Sequence, residues 1–266
     1  MNIRRPSSAP TGKATRNRPL STRAERIGQK KKTDCSSQDD SSRKYLRLSE
    51  ALEPQQLGDH SQERWLRQQA LAFARNKEYA KAIALFDQLI VTNPGNASHY
   101  NNRGLLFFQS GCVRRALSDY DQAIALNPRL SQPYNNRANC FAALGALEAA
   151  VVDYETALDL NPANLHARLN LGVTFREMGL YDIALDTLET VLHFSRFQDG
   201  TEPGKSRFQA RVYGERGRVH HLAGDWNWAI ADYQRSLEML SQLDDTEAQK
   251  LIEQIQGWQG TLVSAA

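Results

Sequence analysis

Residues Ala97–Leu130 have the sequence ASHYNNRGLLFFQSGCVRRALSDYDQAIALNPRL, and this stretch decides the fold because most of the chain repeats it at a fixed spacing. A shift of 34 residues places tyrosine on its fourth and twenty-fourth positions, a small residue on its eighth and phenylalanine on its eleventh. The matched positions are Tyr100, Gly104, Phe107, Gly111, Ala116, Tyr120, Ala123 and Pro128 in this unit, and Tyr134, Ala138, Phe141, Gly145, Ala150, Tyr154, Ala157 and Pro162 in the next. The spacing is therefore a structural period.

Two more copies stand in the same frame, one on each side of this pair. The preceding copy has Leu66, Ala70, Phe73, Ala82, Phe86, Leu89 and Pro94, and the following copy has Arg168, Gly172, Phe175, Gly179, Ala184, Leu188 and Val191. A fifth copy fits only with eleven residues inserted after the fourth, and it then has Tyr213, Gly217, His220, Gly224, Trp226, Ala229 and Tyr233. A small residue recurs where two helices must cross closely, and an aromatic residue recurs where a gap must be filled.

The pattern resembles the tetratricopeptide repeat, a helix–turn–helix unit with the same length and the same small, aromatic and closing-proline positions. The resemblance implies an all-α fold, a right-handed superhelical solenoid of five TPR helix-turn-helix repeats with a C-terminal capping helix. The repeat domain is predicted over 59–243, with units at 63–96, 97–130, 131–164, 165–198 and, after the insertion, 210–243. Residues 244–266 are predicted to form the capping helix and a C-terminal tail, with Asp244 and Glu247 at capping-box spacing.

The basic residues of the chain are concentrated at its N-terminus. Residues 1–33 contain ten Lys and Arg against one Glu, a net charge of +9, whereas the whole chain is only +3 and the remainder therefore carries −6. Residues 1–42 have few large apolar side chains and no helical or strand period, so we predict a disordered basic tail. Its charge suits nucleic acid, an anionic membrane surface or an organelle transit sequence, and it equally suits a solubilising tail without a dedicated partner.

Two segments outside the repeats have expected structures of their own. A short helix or linker is predicted over 43–58, and an exposed loop is predicted for the inserted stretch Ser195–Ser206, which has turn formers but no apolar period. No apolar run is long enough to cross a bilayer, and the N-terminus lacks the apolar core of a secretory signal. We expect a cytoplasmic protein, or one of an organelle stroma or matrix if the tail is a transit sequence.

Residues that could carry out catalysis or hold a cofactor are few. His220, His221 and Asp225 could be taken for a metal triplet, but His220 falls at the aromatic position of its unit, and adjacent helical residues point about 100° apart. The chain has no phosphate loop, dinucleotide fingerprint or nucleophile elbow. We therefore predict no enzyme activity, no cofactor and no metal site.

A peptide-binding surface is implied by the resemblance, because the first helices of tetratricopeptide units line the concave side of the solenoid. The groove positions in three consecutive units are Asn101, Asn102, Leu105 and Phe108, then Asn135, Asn136 and Asn139, then His166, Asn170, Val173 and Arg176. Amides carry both donors and acceptors, so a ladder of asparagines could bind the backbone of an extended peptide. Alternatively, asparagine at the sixth position is simply common in the family. The family's carboxylate clamp against chaperone C-termini is incomplete here, with Asn135 and Glu215 breaking its best match.

Two functions follow from these features. The first is an adaptor, scaffold or assembly factor that grips a peptide segment of a partner protein in the concave groove. The alternative is a nucleic-acid or anionic-membrane tether that acts through the basic N-terminal tail, with the repeats presenting a client.

Arginine and aspartate vary together among the units. Arginine stands at the seventh position and aspartate at the twenty-third in the second, third and fifth units, and both change in the first and fourth. We therefore predict ion pairs between the two helices of one unit, with the arginines acting as scaffold. The predicted pairs are Arg103 with Asp119, Arg137 with Asp153, and Arg216 with Asp232.

Overall fold

The computed structural model describes residues 59–197 and 202–263. The predicted basic tail over 1–42 and the short helix or linker over 43–58 lie outside these residues. The described ranges contain eleven α-helices and no strand. The helices are α1 Asp59–Arg75, α2 Tyr79–Thr92, α3 Ala97–Gln109, α4 Val113–Leu126, α5 Ser131–Leu144, α6 Leu147–Leu160, α7 Leu165–Glu177, α8 Tyr181–Ser195, α9 Glu202–Ala223, α10 Trp226–Ser241 and α11 Thr246–Val263.

The helices form a one-dimensional array. Each helix packs against the next in the chain, and the first helices of neighbouring units also touch, α3 against α5, α5 against α7 and α7 against α9. Core side chains come from consecutive units, as in the cluster that joins Phe86 of α2 to Leu106 and Phe107 of α3 and Tyr120 of α4. The prediction of an all-α solenoid of helix pairs is confirmed.

Close crossing of the two helices explains the small residue at the eighth position. A Cβ on Gly104 of α3 would lie 2.8 Å from the ring of Tyr120 on α4, and one on Gly217 of α9 would lie 2.9 Å from the ring of Tyr233 on α10. Real Cβ atoms do not approach that closely, so the tyrosine occupies the space that glycine leaves.

The turns between paired helices need a left-handed residue. Gly111, Gly145, Gly179 and Gly224 have φ between 78° and 90°, a region that glycine enters without steric cost. The first unit has Lys77 at this position, with a φ of 61°. Its turn therefore carries a conformational cost that the other four units avoid.

The predicted ion pairs within units are present. Arg103 donates to Asp119 at 2.8 and 2.6 Å, and Arg216 donates to Asp232 at 2.7 and 2.8 Å. The guanidinium of Arg103 also donates to Asp87 of the preceding unit at 2.7 Å, a link between units that the co-variation did not reveal. These arginines are part of the scaffold.

The loop within the inserted stretch is shorter than predicted. Helix α9 begins at Glu202, so the expected loop over 195–206 is wrong for its second half, and residues 198–201 lie outside the described ones. Pro203 stands in the first turn of α9, where a backbone N–H would have no intrahelical acceptor, so proline is tolerated there. Phe208 anchors this extension because its ring contacts that of His166 on α7, with 4.7 Å between centroids.

Helix α11 covers the last unit. Ala248 and Ile255 are fully buried against α9 and α10, and Trp258 packs beside them. The residue that caps α11 is Asp245, whose Oδ1 accepts from the backbone N–H groups of Glu247 and Ala248 at 2.9 and 2.8 Å. The cap expected at Asp244 is therefore wrong by one residue.

Candidate functional site

The asparagines of three consecutive first helices lie on one surface. Asn136 of α5 donates through Nδ2 to Oδ1 of Asn101 on α3, and Asn170 of α7 donates to Oδ1 of Asn139 on α5, both at 3.0 Å. These bonds link α3 to α5 and α5 to α7. We call this set of asparagines the amide ladder, and it consists of Asn101, Asn102, Asn135, Asn136, Asn139 and Asn170.

Further hydrogen bonds connect the ladder to itself and to its floor. Asn101 donates to Oδ1 of Asn102 at 3.3 Å, and Asn135 donates to Oδ1 of Asn136 at 3.2 Å. The hydroxyl of Tyr154, on α6 behind the ladder, donates to Oδ1 of Asn139 at 2.7 Å. The amides are therefore held in fixed orientations before any ligand arrives, which lowers the entropic cost of binding.

The ladder is less exposed than the sequence suggested. Asn101 is only 7% exposed, so its prediction as an exposed groove residue is wrong. Its amide is enclosed where α3 and α5 meet, where it donates to Asn102 and accepts from Asn136. The other five asparagines are half-buried. Among the other predicted groove positions, Leu105, with 36% of its surface exposed, and His166 are exposed, while Phe108, Val173 and Arg176 are half-buried.

Some hydrogen-bonding capacity of the ladder remains for a ligand. The Oδ1 of Asn135 is buried and accepts from no group of the described chain. A buried acceptor without a donor is costly, so this oxygen has an energetic incentive to meet an N–H of a ligand or of water. Phe108 and Val173, two of the predicted groove positions, pack against the core clusters behind them.

The face of the predicted groove positions continues into the fifth unit, beyond the three units for which groove residues were predicted. Glu215, Arg218 and His221 of α9 occupy the positions that Asn170, Val173 and Arg176 have in α7, and the Nε of Arg176 lies 3.5 Å from Oε2 of Glu215. Extending the repeat frame across the insertion, from residue 210, would have found them.

The two adjacent histidines of α9 contact different partners. His220 stacks on Trp228 with 6.2 Å between ring centroids, and its Nδ1 lies 3.5 Å from Oδ2 of Asp225. The Nδ1 of His221 instead lies 3.3 Å from the hydroxyl of Tyr233. The rings do not converge on one point, and no trio of His, Cys, Asp or Glu side chains in the described ranges could hold a metal ion.

Comparisons with known families identify the repeat. Two profiles described as tetratricopeptide repeat match residues 68–134 and 131–164. The chain contains tetratricopeptide repeats. The matched residues hold most of the amide ladder, and the tetratricopeptide helix pairs continue beyond them through α10.

Solved tetratricopeptide repeat structures share the fold. TTC0263, a thermophilic TPR protein of Thermus thermophilus, is 19% identical over 73% of this chain and 98% of its own, with a TM-score of 0.58. The MamA protein is 17% identical over 67% of this chain and 92% of its own, with a TM-score of 0.54. YrrB, a TPR protein with an unusual peptide-binding site, is 17% identical over 71% of this chain and 90% of its own, with a TM-score of 0.51. At these identities the likeness establishes the fold.

No curated protein sequence matches this chain significantly. None of the helices within the described ranges combines the length and apolar character needed to span a bilayer.

Proposed function

We propose that this tetratricopeptide repeat protein is an adaptor that binds an extended peptide segment of a partner protein along the amide ladder. The observation that carries the proposal is the pair of cross-helix bonds from Asn136 to Asn101 and from Asn170 to Asn139. They align amides of three helices along one surface, which is the arrangement that an extended backbone can match with regularly spaced donors and acceptors. YrrB, which has the same fold, is a protein with a peptide-binding site.

The groove combines polar and apolar contacts in a way that suits a peptide. Leu105 is exposed beside the ladder, and Phe108 and Val173 line it from the core side. Main-chain hydrogen bonds would supply general affinity, and these apolar positions would select side chains.

A binding role accounts for the polar groups better than catalysis does. The aspartates buried in the array, Asp119, Asp153 and Asp232, each accept two hydrogen bonds from an arginine and are occupied in holding the fold. We infer a binding module in which these charges serve structure and the amides serve recognition.

A selection from a phage-displayed random peptide library tests the proposal with the full-length chain as bait. Affinity of a selected peptide is then measured by fluorescence anisotropy for the wild type, Asn102→Ala and Leu105→Lys. We expect Leu105→Lys to weaken binding about tenfold, since a lysine replaces an exposed apolar contact in the groove. Val152→Lys is the matched control, because Val152 is an exposed aliphatic residue on the second helix α6.

The outcomes separate the groove from the tail. Equal binding by Leu105→Lys and Val152→Lys would contradict the groove assignment. The chain without residues 1–42 should bind the same peptide with unchanged affinity. Loss of binding on that deletion, with strong dependence on salt, would instead favour a tether that acts through the basic tail.

A further inference from the structure

Within the described part of the chain, the fifth-unit end of the predicted groove contains an arginine that pairs with no carboxylate. Arg218 of α9 is only 9% exposed, and no Asp or Glu of the described chain lies within ion-pair distance of its guanidinium. Its neighbours are Nδ1 of His221, 3.3 Å from Nη1, and the ring of Trp258, 5.8 Å from Cζ. Removing a cation from water without a counter-ion is costly, so this position favours an anion that comes from outside the chain.

A second arginine beside it is only loosely paired. The Nε of Arg176 lies 3.5 Å from Oε2 of Glu215, but neither atom makes a hydrogen bond within the described residues, and Glu177 approaches Arg176 at 3.6 Å. The guanidinium groups of Arg176 and Arg218 thus share the groove end with Glu215. An incoming carboxylate could form the charge-assisted bonds that this geometry leaves unmade.

Tyr233 of α10 lies next to Arg218. Burial raises the pKa of Tyr233 to about 12, and the positive charge of Arg218 and a hydrogen bond with it act against that shift. The Nδ1 of His221, the neighbour of Arg218, lies 3.3 Å from the Tyr233 hydroxyl. Trp258 of α11 covers the same place from the end of the solenoid, with its ring 6.3 Å from that of Tyr233.

We propose that Arg218, assisted by Arg176, binds an acidic side chain of the peptide that the groove accepts. This inference rests on the proposed function for the peptide, although the anion site is defined by the arginines themselves. Arg218 is 9% exposed and lies beside the ring of Trp258, so we assign its contact with the ligand to an Asp or Glu side chain. The ligand then places its acidic residue over α9 and apolar residues over Leu105 on α3.

The test uses the full-length chain labelled with ¹⁵N and three small probes. N-acetylglutamate α-amide carries only a side-chain carboxylate, N-acetylglutamine carries only a terminal carboxylate, and N-acetylglutamine α-amide carries none. We expect the Arg218 Nε–H resonance, assigned by its loss in Arg218→Lys, to shift saturably with the first probe alone. A preference for the second probe would make the site one for a chain terminus, and equal shifts with all three, or none, would also overturn the proposal.

Two variants and one control test the assignment of the carboxylate site to Arg218. Glu215→Gln has the same shape and removes the competing carboxylate, so it should tighten binding of N-acetylglutamate α-amide severalfold, and weaker binding would contradict the site. Arg218→Gln should abolish the perturbation of neighbouring signals. Arg235→Gln, which removes an exposed arginine paired with Glu238 at 3.0 Å, should leave it intact.

The peptide selection distinguishes failure of this inference from failure of the proposed function. Selected peptides that lack Asp and Glu but lose affinity with Leu105→Lys would keep the groove and reject the acidic subsite. A saturable shift at Arg218 with peptides insensitive to Leu105→Lys would keep the subsite and reject the groove.

Discussion

Arg137 and Asp153 bind each other through two parallel hydrogen bonds, 2.7 Å from Nε to Oδ2 and 2.8 Å from Nη2 to Oδ1. They stand on α5 and α6, the two helices of one unit. The remaining Nη1 of Arg137 donates to Asp121 of the preceding unit at 2.7 Å. One guanidinium therefore fixes a helix pair and connects it to its neighbour, as Arg103 does one unit earlier.

Arg137→Leu should lower the free energy of unfolding by about 3 kcal/mol, because the carboxylate of Asp153, 6% exposed, loses its counter-ion. Urea denaturation followed by circular dichroism measures this change. The fourth unit supplies the control, since it has Leu171 and Thr187 at the equivalent positions. The double variant Arg137→Leu with Asp153→Thr should recover most of the loss, and a double variant as unstable as the single one would show that the charge pair is not responsible.

Lys77→Gly should stabilise the chain by about 0.5–1 kcal/mol, because glycine adopts a φ of 61° without the steric cost that lysine bears. Thermal and urea unfolding both measure it. Gly145→Ala is the reciprocal control and should be destabilising, since a Cβ there meets open space and only the backbone conformation, φ 80°, opposes it. An unchanged or lower stability of Lys77→Gly would mean that the lysine side chain stabilises the turn by more than the strain costs.

The free energy of unfolding should decrease as the pH falls from 7 to 5, because His99 becomes protonated more readily in the unfolded chain. Burial lowers the pKa of His99 below its usual 6.5, with Arg67 acting in the same direction and the nearby Glu63, 3.1 Å away, opposing it. The unfolded chain therefore binds the proton first, so the stabilisation is complete above about pH 6.5 and declines below it, by at most about 1.4 kcal/mol per pH unit.

His99→Gln should reduce this slope in urea titrations at pH 7, 6 and 5. Some slope should remain, because burial also lowers the pKa of His221. His193→Gln, which changes an exposed histidine at the end of α8, is the control and should retain the slope of the wild type. Equal slopes for His99→Gln and the wild type would contradict the prediction.

Ile255→Ala should loosen the fifth unit selectively. Ile255 of α11 is fully buried, and its Cδ1 lies 3.0 Å from where a Cβ on Gly214 of α9 would stand. We expect a loss of about 3 kcal/mol and faster hydrogen exchange in α9 and α10, with α3 to α6 little changed, since each unit contacts only its neighbours. Gln254→Ala on the exposed side of α11 should change neither quantity, and uniform acceleration along the chain would contradict the capping role of α11.

The features that recur in every unit could be predicted from the sequence. The repeat spacing predicts which residues recur at helix crossings, so Gly104 against Tyr120 and the left-handed turn glycines followed from it. Even the pair Arg137 with Asp153 was predictable, because its partners vary together among five copies within one chain. These features depend on local spacing, which every copy repeats.

The contacts between different units could not be predicted from the sequence, because they depend on how the helices pack. The amide of Asn101 is enclosed by Asn136 from the next unit, and no local pattern shows which exposed-looking amides a neighbouring helix will consume. Helix α9 begins within the turn formers of the insertion, and Phe208 in this extension contacts His166 of α7, which no local pattern indicates. Arg218 resembles any other charged residue in the sequence, and its burial, with no carboxylate of residues 59–197 or 202–263 paired to it, arises where α9, α10 and α11 meet.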